Sequence, residues 1–279
     1  MAQKVIALDA GHGMRTAGKR CMKALDPNET REWFLNDRIM DKVEAMLAVY
    51  DCKVIRVGDT TGAKDVSLGS RVRTANAAKA DIYISMHHNA GIHGGSGGGT
   101  VVFYSSGSPE RGAQAQKLYQ AIASRTGLKG NRSQKVIKKG FYVIKNTSMP
   151  AFLVENGFMD SKTDTPIILT ERHADRTAEG VTDFVVAMLQ LKEKCSMAGS
   201  GSIRTEDVLA AVGSSGKYYP AYTGKATTLS AAMTSLGITS TYSYRKQVAA
   251  ANGISGYRGT ASQNTQMYNL LTAGLLKRI

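Results

Sequence analysis

The chain has 279 residues, of which 42% are hydrophobic and 7% aromatic, so it can form ordinary hydrophobic cores and is not a largely disordered protein. Its formal charge of +14 favours an anionic partner, but no Lys/Arg-rich run with interleaved aromatic residues supports nucleic acid, and we expect none. Three cysteines without a CxxC pair exclude a complete disulfide framework.

The first part of the chain predicts a strand, a helix and a second strand. Residues 4–8 (KVIAL) form a short apolar run before Asp-Ala-Gly-His-Gly, which indicates a buried strand followed by a loop. Apolar side chains recur at helical spacing over residues 31–50, and residues 52–57 (CKVIRV) predict the second strand. This order implies a right-handed crossover between parallel strands.

The same alternation continues to residue 189. We predict further strands and helices over residues 67–79 (helix), 81–86 (strand), 100–104 (strand), 109–126 (helix), 141–145 (strand), 151–155 (strand) and 181–189 (helix). The predicted fold class is therefore α/β: a three-layer α-β-α domain with a mostly parallel central sheet, over residues 1–194.

The composition changes after Leu191. Residues 195–202 are small and polar, which is typical of a flexible linker, and Met197 within them could be an internal start or mark a cleavage site. Residues 203–279 carry eight Lys/Arg and two Asp/Glu, a net charge of +6 (8 − 2). Helical patterns near 227–236, 243–251 and 262–273 predict a small, mainly helical C-terminal domain.

Four polar side chains are predicted to converge at one edge of the sheet. His12 follows the first strand and His87 ends another, so both imidazoles should reach the carboxyl edge, where functional groups gather in parallel sheets. Glu32 lies at the start of the first long helix, which begins at the same edge, and Glu155 closes the strand 151–155. The sequence therefore predicts one site that contains all four side chains.

Two histidines and a carboxylate are the ligand types of a hydrolytic zinc site. Zn²⁺ favours tetrahedral ligation by nitrogen and oxygen, and a catalytic site keeps one position open for water. The ion would polarise the scissile carbonyl and lower the pKa of that water. A carboxylate that does not bind the metal must then accept the proton, and we assign this role to Glu155.

The motifs around these residues resemble the amidase-3 family of N-acetylmuramoyl-L-alanine amidases across residues 4–191. The resemblance rests on Asp9-Ala10-Gly11-His12-Gly13, Glu32 with Asn36, Arg71 with Ala75-Asn76, Ser85-Met86-His87-His88-Asn89-Ala90 and Leu153-Val154-Glu155-Asn156-Gly157-Phe158. It implies that His12, Glu32 and His87 bind Zn²⁺ and that Glu155 is the catalytic glutamate. At the first motif this chain has alanine where proline is common.

Glu29 is an alternative third ligand, because the long loop from Gly13 to Thr30 could present either carboxylate. The spacing to Asn36 favours Glu32. Arg71 is interpreted as the structural partner of an ion pair rather than as a substrate contact.

The other histidines and the glycine-rich segment have no predicted role in catalysis. By strand alternation, His88 points away from His87, and His93 and His173 are expected to face solvent. Residues 94–99 lack the Lys-Ser/Thr of a phosphate-binding loop and precede a strand, so we expect a mobile loop near the active site.

Residues 218–279 resemble the wall-binding module of lysins from phages that infect Gram-positive bacteria. The motifs that carry this resemblance are Tyr219-Pro220-Ala221-Tyr222-Thr223-Gly224, Arg245, Asn252-Gly253-Ile254, Tyr257-Arg258-Gly259-Thr260, Gln263-Asn264 and Leu270-Leu271. The resemblance implies a wall polysaccharide as ligand. The tyrosines, which are Tyr219, Tyr222, Tyr242, Tyr244 and Tyr257, could stack on sugars or could be packing residues.

The two resemblances together imply an endolysin that hydrolyses the amide bond between N-acetylmuramic acid and L-alanine in the peptidoglycan of a Gram-positive host. No signal peptide or apolar run of membrane-spanning length is visible, so we expect no integral membrane segment, synthesis in the host cytoplasm and release through a holin. The alternatives are a bacterial autolysin, a zinc peptidase that cuts the stem peptide, and a catalytically inactive wall-binding protein.

Overall fold

The computed structural model describes residues 3–105, 109–194, 218–254, 257 and 259–279. The chain divides into two compact units, Met1–Lys194 and Cys195–Ile279. The predicted linker at 195–202, which contains Met197, lies outside the described residues.

The first unit contains a central β-sheet. Its strands are β1 (Lys4–Ala10), β2 (Cys52–Arg56), β3 (Ile82–Asn89), β4 (Thr100–Tyr104), β5 (Val136–Lys138) and β6 (Ala151–Phe158). Among the described residues they form one six-stranded sheet in the order β2-β1-β3-β6-β4-β5. Only the β4–β6 pair in this sheet is antiparallel, so the predicted mostly parallel sheet is confirmed.

Helices cover both faces of this sheet. They are α1 (Glu32–Leu47), α2 (Leu68–Ala77), α3 (Glu110–Thr126), α4 (Tyr142–Lys145), α5 (Thr165–Ile168) and α6 (Glu171–Leu189). Ile39 of α1, Leu118 of α3 and Val181 of α6 belong to the core on one face. Val72 of α2 and Val143 of α4 belong to the core on the other. The predicted three-layer α-β-α architecture is confirmed.

The segment 141–145 was predicted as a strand, and that prediction was wrong. It forms the single helical turn α4, and the strand beside β4 is β5. Val143 and Ile144 are consecutive and both are buried. Successive side chains of a strand point to opposite faces, so a strand at the sheet edge would not bury both against the same core. Tertiary contacts here override the strand preference of β-branched residues.

The second unit contains three helices among the described residues: α7 (Leu229–Ser235), α8 (Tyr242–Ala251) and α9 (Ala261–Thr272). Threonine side chains cap their N-termini, namely those of Thr228, Thr241 and Thr260. Each hydroxyl accepts a hydrogen bond from a backbone N–H that would otherwise lack a partner. The predicted C-terminal helices are therefore present.

Of the five tyrosines that could stack on sugars, the four whose side chains the structure describes are packing residues. Tyr219, Tyr222 and Tyr257 are buried in its core. Tyr257 accepts a hydrogen bond from Arg245 Nε at 2.9 Å, and the hydroxyls of Tyr219 and Tyr244 lie 2.6 Å apart. These rings are therefore not exposed platforms for sugars.

No helix in the described part of the chain is long and apolar enough to cross a membrane.

His173 was predicted to face solvent, and that prediction was also wrong, whereas His93 is exposed as expected. His173 lies in the first turn of α6, and only 3% of it is exposed. Its Nε2 accepts a hydrogen bond from Asn156 Nδ2 at 2.9 Å, which requires a neutral ring. Burial lowers the pKa of His173 to about 4, and the charge of Arg38 acts in the same direction. The buried face of α6 thus begins earlier than its apolar periodicity predicted.

We expect His173 to make the first unit sensitive to acid. Because its pKa falls on folding from 6.5 to about 4, its neutral form stabilises the fold above pH 6.5. This contribution, at most about 3 kcal/mol, is lost as the pH falls from 6.5 towards 4. Between about pH 7.5 and about pH 4.5, H173Q should therefore lose roughly 2 kcal/mol less stability than the unsubstituted protein.

Urea unfolding followed by Trp33 fluorescence measures this difference. The chain has a single tryptophan, and it is buried in the first unit, so the signal reports that unit alone. The exposed His93 provides the control variant H93Q, which should follow the unsubstituted protein. Identical pH dependence in H173Q and the unsubstituted protein would contradict the prediction.

Candidate metal centre

The loop that follows β1 presents His12 in a strained backbone conformation. His12 has φ of +67°, which is uncommon for a residue with a side chain. Hydrogen bonds hold the loop there: Gly11 N donates to Met86 O at 3.0 Å, and Arg71 Nη2 donates to the carbonyl of His12 at 2.9 Å. Such strain persists only where surrounding contacts enforce it, and it is concentrated at functional sites.

Glu32, His12 and His87 meet at the carboxyl ends of the parallel strands β1 and β3. Glu32 Oε1 lies 3.4 Å from His12 Nε2 and 3.1 Å from His87 Nδ1. The two imidazole rings are perpendicular, with centroids 4.9 Å apart. One potential ligand atom from each of the three residues lies within 4.8 Å of the other two.

This geometry and donor set fit a divalent zinc ion. Tetrahedral ligation with bonds of about 2.0–2.1 Å separates two ligand atoms by about 3.3 Å, close to both distances from Glu32 Oε1. Glu32 Oε2 is buried without a hydrogen-bond partner, and the ammonium of Lys19 lies 3.8 Å from it. Burial alone would raise the pKa of Glu32, but hydrogen bonds to His12 and His87 lower it well below its usual range. The carboxylate is therefore held ionised.

The alternative ligand, Glu29, lies in a different pair. Its Oε1 lies 3.1 Å from Arg20 Nε.

His88 has a separate role, because its Nδ1 donates to Asn36 Oδ1 at 2.8 Å while Asn36 Nδ2 donates to Gly11 O at 3.2 Å. Asn36 thus links the helix that carries Glu32 to the loop that carries His12, and sequence analysis assigned it no such role.

Glu155 lies beside this cluster on the neighbouring strand. It is the register partner of His87 in the parallel β3–β6 pair. Its Oε2 is buried and has no hydrogen-bond partner. Burial raises the pKa of Glu155 to about 7, the charge of Glu32 acts in the same direction, and His87 opposes both. The group can therefore exchange a proton near neutral pH.

A buried ion pair stabilises the end of β1 and the loop that carries His12. Arg71 is 1% exposed, and its guanidinium binds Asp9 Oδ1 at 2.5 Å and Ala10 O at 2.7 Å. Asp9 Oδ2 also accepts hydrogen bonds from Tyr83 and Ser85, at 2.8 Å and 2.7 Å. Arg71 is thus a structural ion-pair partner, as predicted. Asp9 was visible in the first motif, but only the fold reveals its partners on β3.

A pocket of about 410 Å³ opens beside the two histidines. It is lined by the end of β1 and the loop after it, by β3, by the start of α2 and the residues before it, and by one residue of α4. These residues are Asp9, Gly11, His12, Asp65, Val66, Ser67, Leu68, Arg71, His87 and Val143. A substrate can therefore reach the imidazoles from this side.

The glycine-rich segment 94–99 forms a loop with hydrogen bonds to the residues that follow β6, and its predicted mobility stays a prediction. Asp160 Oδ2 accepts hydrogen bonds from the N–H groups of Gly91, Ile92 and His93, just before it, at 2.8–2.9 Å. Asp164 Oδ2 accepts one from Gly99 N at 2.7 Å. The glycines at 97 to 99 all have positive φ, which accounts for the composition of the segment.

Comparison with known sequences finds the same family that the motifs suggested. The profile of Amidase_3, described as N-acetylmuramoyl-L-alanine amidase, matches residues 6–187. The chain is 33% identical over 208 residues to an endolysin of Bacillus phage SPP1, which covers 73% of this chain and 72% of that protein. It is 28% identical over 194 residues to the N-acetylmuramoyl-L-alanine amidase CwlM of Bacillus licheniformis, covering 68% and 71% of the two chains.

Solved structures match the first unit in fold. The catalytic domain of CwlV, an N-acetylmuramoyl-L-alanine amidase from Bacillus (Paenibacillus) polymyxa, superimposes with a TM-score of 0.60 at 26% identity, covering 68% of this chain and all of that one. An N-acetylmuramoyl-L-alanine amidase from Clostridium difficile 630 gives the same TM-score and identity, covering 68% of this chain and 98% of that one.

Substituting Gly11 by alanine should displace His87 and weaken zinc binding. An added Cβ at Gly11 would lie 2.0 Å from His87 Cε1, whereas at Gly140 the nearest atom would be Lys145 Cδ at 3.5 Å. We expect G11A to bind Zn²⁺ at least about tenfold more weakly, and G140A to bind it normally. Competition with a chromogenic chelator measures the affinity, and circular dichroism checks the fold. Equal affinities of the two variants would refute this placement of His87.

Proposed function

The chain belongs to the N-acetylmuramoyl-L-alanine amidase family Amidase_3, and we propose that His12, Glu32 and His87 hold the zinc ion of its active site. As a member of this family it hydrolyses peptidoglycan, at the amide bond between N-acetylmuramic acid and L-alanine. The observation that carries the proposed site is the position of Glu32 Oε1, within 3.4 Å of a nitrogen of each histidine. When bound, Zn²⁺ supplies Lewis acidity towards the scissile carbonyl and towards water.

Glu155 serves as the general base and then as the general acid of this reaction. Its unpartnered Oε2 accepts the proton of the attacking water and then delivers it to the amine of the departing L-alanine. Two observations support this role: Glu155 is the register partner of His87, and the group of residues that could hold a metal ion does not include it. The raised pKa of Glu155 suits both halves of the proton transfer.

The second unit binds the wall in this proposal. Residues 218–279 contain six Lys/Arg and no Asp/Glu, the six being Lys225, Arg245, Lys246, Arg258, Lys277 and Arg278. This charge favours an anionic wall and would keep the enzyme near its insoluble substrate. We further infer a wall polysaccharide ligand, a Gram-positive host and release through a holin, by analogy with the phage endolysin that the chain resembles.

Replacing Glu155 by glutamine should abolish catalysis and leave the metal in place. E155Q keeps the shape of the side chain but cannot accept a proton, so we expect kcat to fall by at least about 100-fold with normal zinc content. H12A should lose both zinc and activity. The matched control is E179Q, which removes a surface carboxylate paired with Arg176.

Mass spectrometry of purified peptidoglycan after digestion measures this activity, together with metal analysis of each variant. An amidase releases stem peptides with a free L-alanine amino terminus, whereas a zinc peptidase would cut within the stem. Unchanged lysis by E155Q would remove Glu155 from the mechanism. Full activity after exhaustive chelation would show that the mechanism needs no metal.

Ending the chain at Lys194 should separate hydrolysis from wall binding. The first unit has its own cores, so the shortened protein should retain activity on soluble muropeptides. We expect its binding to intact walls to fall roughly tenfold or more, since the second binding unit is lost. Co-sedimentation with purified walls measures the binding. Undiminished sedimentation of the shortened protein would show that the second unit is not the wall-binding module.

A further inference from the structure

One stretch of the first unit is strongly basic and has no acidic residues. Residues 129–145 contain six Lys/Arg in seventeen positions and no Asp/Glu. We call these six side chains the cationic strip; they are Lys129, Arg132, Lys135, Lys138, Lys139 and Lys145. The strip includes the outermost strand, β5, and the segments on either side of it.

The backbone arranges the central cations along the edge of the sheet. Lys138 is the last residue of β5. The carbonyl of Lys135 accepts a hydrogen bond from Val102 N at 2.8 Å, and Lys139 N donates to Tyr104 O at 2.9 Å. From Lys135 to Lys139 the chain therefore follows β4 for about 13 Å.

The charges of the strip are not neutralised by the protein. Five of the six side chains are exposed and Lys135 is half-buried. Within the part of the chain that the structure describes, none of them forms an ion pair. By contrast, Arg38 pairs with Glu171, and Arg56 pairs with acidic residues of α1. Within the described residues the strip is therefore a continuous stretch of unpaired positive charge.

Aromatic rings support three of these cations. Arg132 lies over the ring of Phe158 at 5.3 Å, Lys139 lies over Phe141 at 4.8 Å, and Lys135 lies over Tyr119 at 6.0 Å. A ring face attracts the cation without cancelling its charge. The arrangement holds these cations in place and leaves them available to an anion.

Protection of an exposed strand does not account for the whole strip. Lysines on an edge strand do prevent edge-to-edge pairing of sheets. Lys129, Arg132 and Lys145, however, lie outside β5 and cannot protect it. Half of the charge therefore requires another explanation.

The part of the strip that follows β4 begins, at Lys135, close to the proposed catalytic carboxylate. Glu155 is the register partner of Val101 on β4, and Val102 is the register partner of Val136 on β5. Lys135 is therefore in register with Glu155 two strands away. The distance between the backbones of these two residues across the sheet is about 10 Å.

We propose that the cationic strip binds the phosphodiester backbone of an anionic polymer of the bacterial wall, next to the peptidoglycan strand being cut. The proposal rests on the proposed function, since that function brings the enzyme to the wall. An extended, exposed row of cations suits a linear polyanion better than the single carboxylate of a stem peptide, which would need one local contact. Several weak contacts with repeating phosphates also permit movement along the wall.

The test compares two triple variants that remove the same charge. K135Q/K138Q/K139Q alters the strip, whereas K53Q/K79Q/K192Q removes three exposed lysines elsewhere on the first unit. Each protein is sedimented with walls that retain their phosphate polymers and with walls from which acid has extracted them. We expect the unsubstituted protein and the control to bind polymer-bearing walls more tightly than extracted walls. In the strip variant the ratio of these two affinities should be roughly tenfold smaller at low salt.

The charge-conserving variant K135R/K138R/K139R should restore the preference, and added salt should reduce it in the unsubstituted protein. Trp33 fluorescence verifies that every variant is folded. A strip variant that keeps the full preference for polymer-bearing walls would overturn the proposal. The proposal would also be overturned if the strip variant lost binding only to a fluorescent single-stranded DNA, because that result would indicate a nucleic-acid surface.

Failure of the proposed function would give a different result. In that case the unsubstituted protein would release no L-alanine amino termini from polymer-free peptidoglycan, whatever its binding to the polymer.

Discussion

The buried carboxylate of Glu32 is the group on which the proposed active site depends. Only 1% of its side chain is exposed, and its pKa is low because His12 and His87 surround it with hydrogen bonds. An ionised carboxylate in such a place costs several kcal/mol or so unless charge and hydrogen bonds compensate it. Its second oxygen has no hydrogen-bond partner, and Lys19 is too distant to provide one. A divalent cation between the three ligands would remove this penalty, so metal binding and local stability are coupled.

Two buried polar networks make this arrangement possible. Arg71 ties Asp9 to the carbonyls of the loop after β1, and Asn36 ties α1 to the same loop. The strained backbone of His12 is offset by these contacts, because the loop cannot relax without breaking several buried hydrogen bonds. These contacts hold the three proposed ligands at the edge of the sheet, which is the property expected of a site built on a rigid element.

The proposed catalytic group and the proposed wall-binding surface need different degrees of solvent exposure. Burial raises the pKa of Glu155 towards neutrality, and this residue lies on the interior strand β6. The cationic strip lies on the outermost strand, where its side chains keep their charge in water. Burial thus tunes the proposed proton carrier, and exposure preserves the long-range field of the proposed polyanion-binding surface. One sheet can serve both proposed purposes because its centre and its edge differ in solvation.

The sequence alone determined the alternation of strands and helices, and with it the sheet edge to which His12 and His87 belong, because periodicity and strand ends are local properties. Tertiary structure decided the rest. Glu32 and Glu29 have equal chemistry; the spacing to Asn36 favoured Glu32, and the path of the loop brings Glu32 to the histidines while Glu29 pairs with Arg20. The burial of His173 and the helical turn at 141–145 depend likewise on what packs against them. Such outcomes follow from contacts between residues distant in sequence, which no local pattern contains.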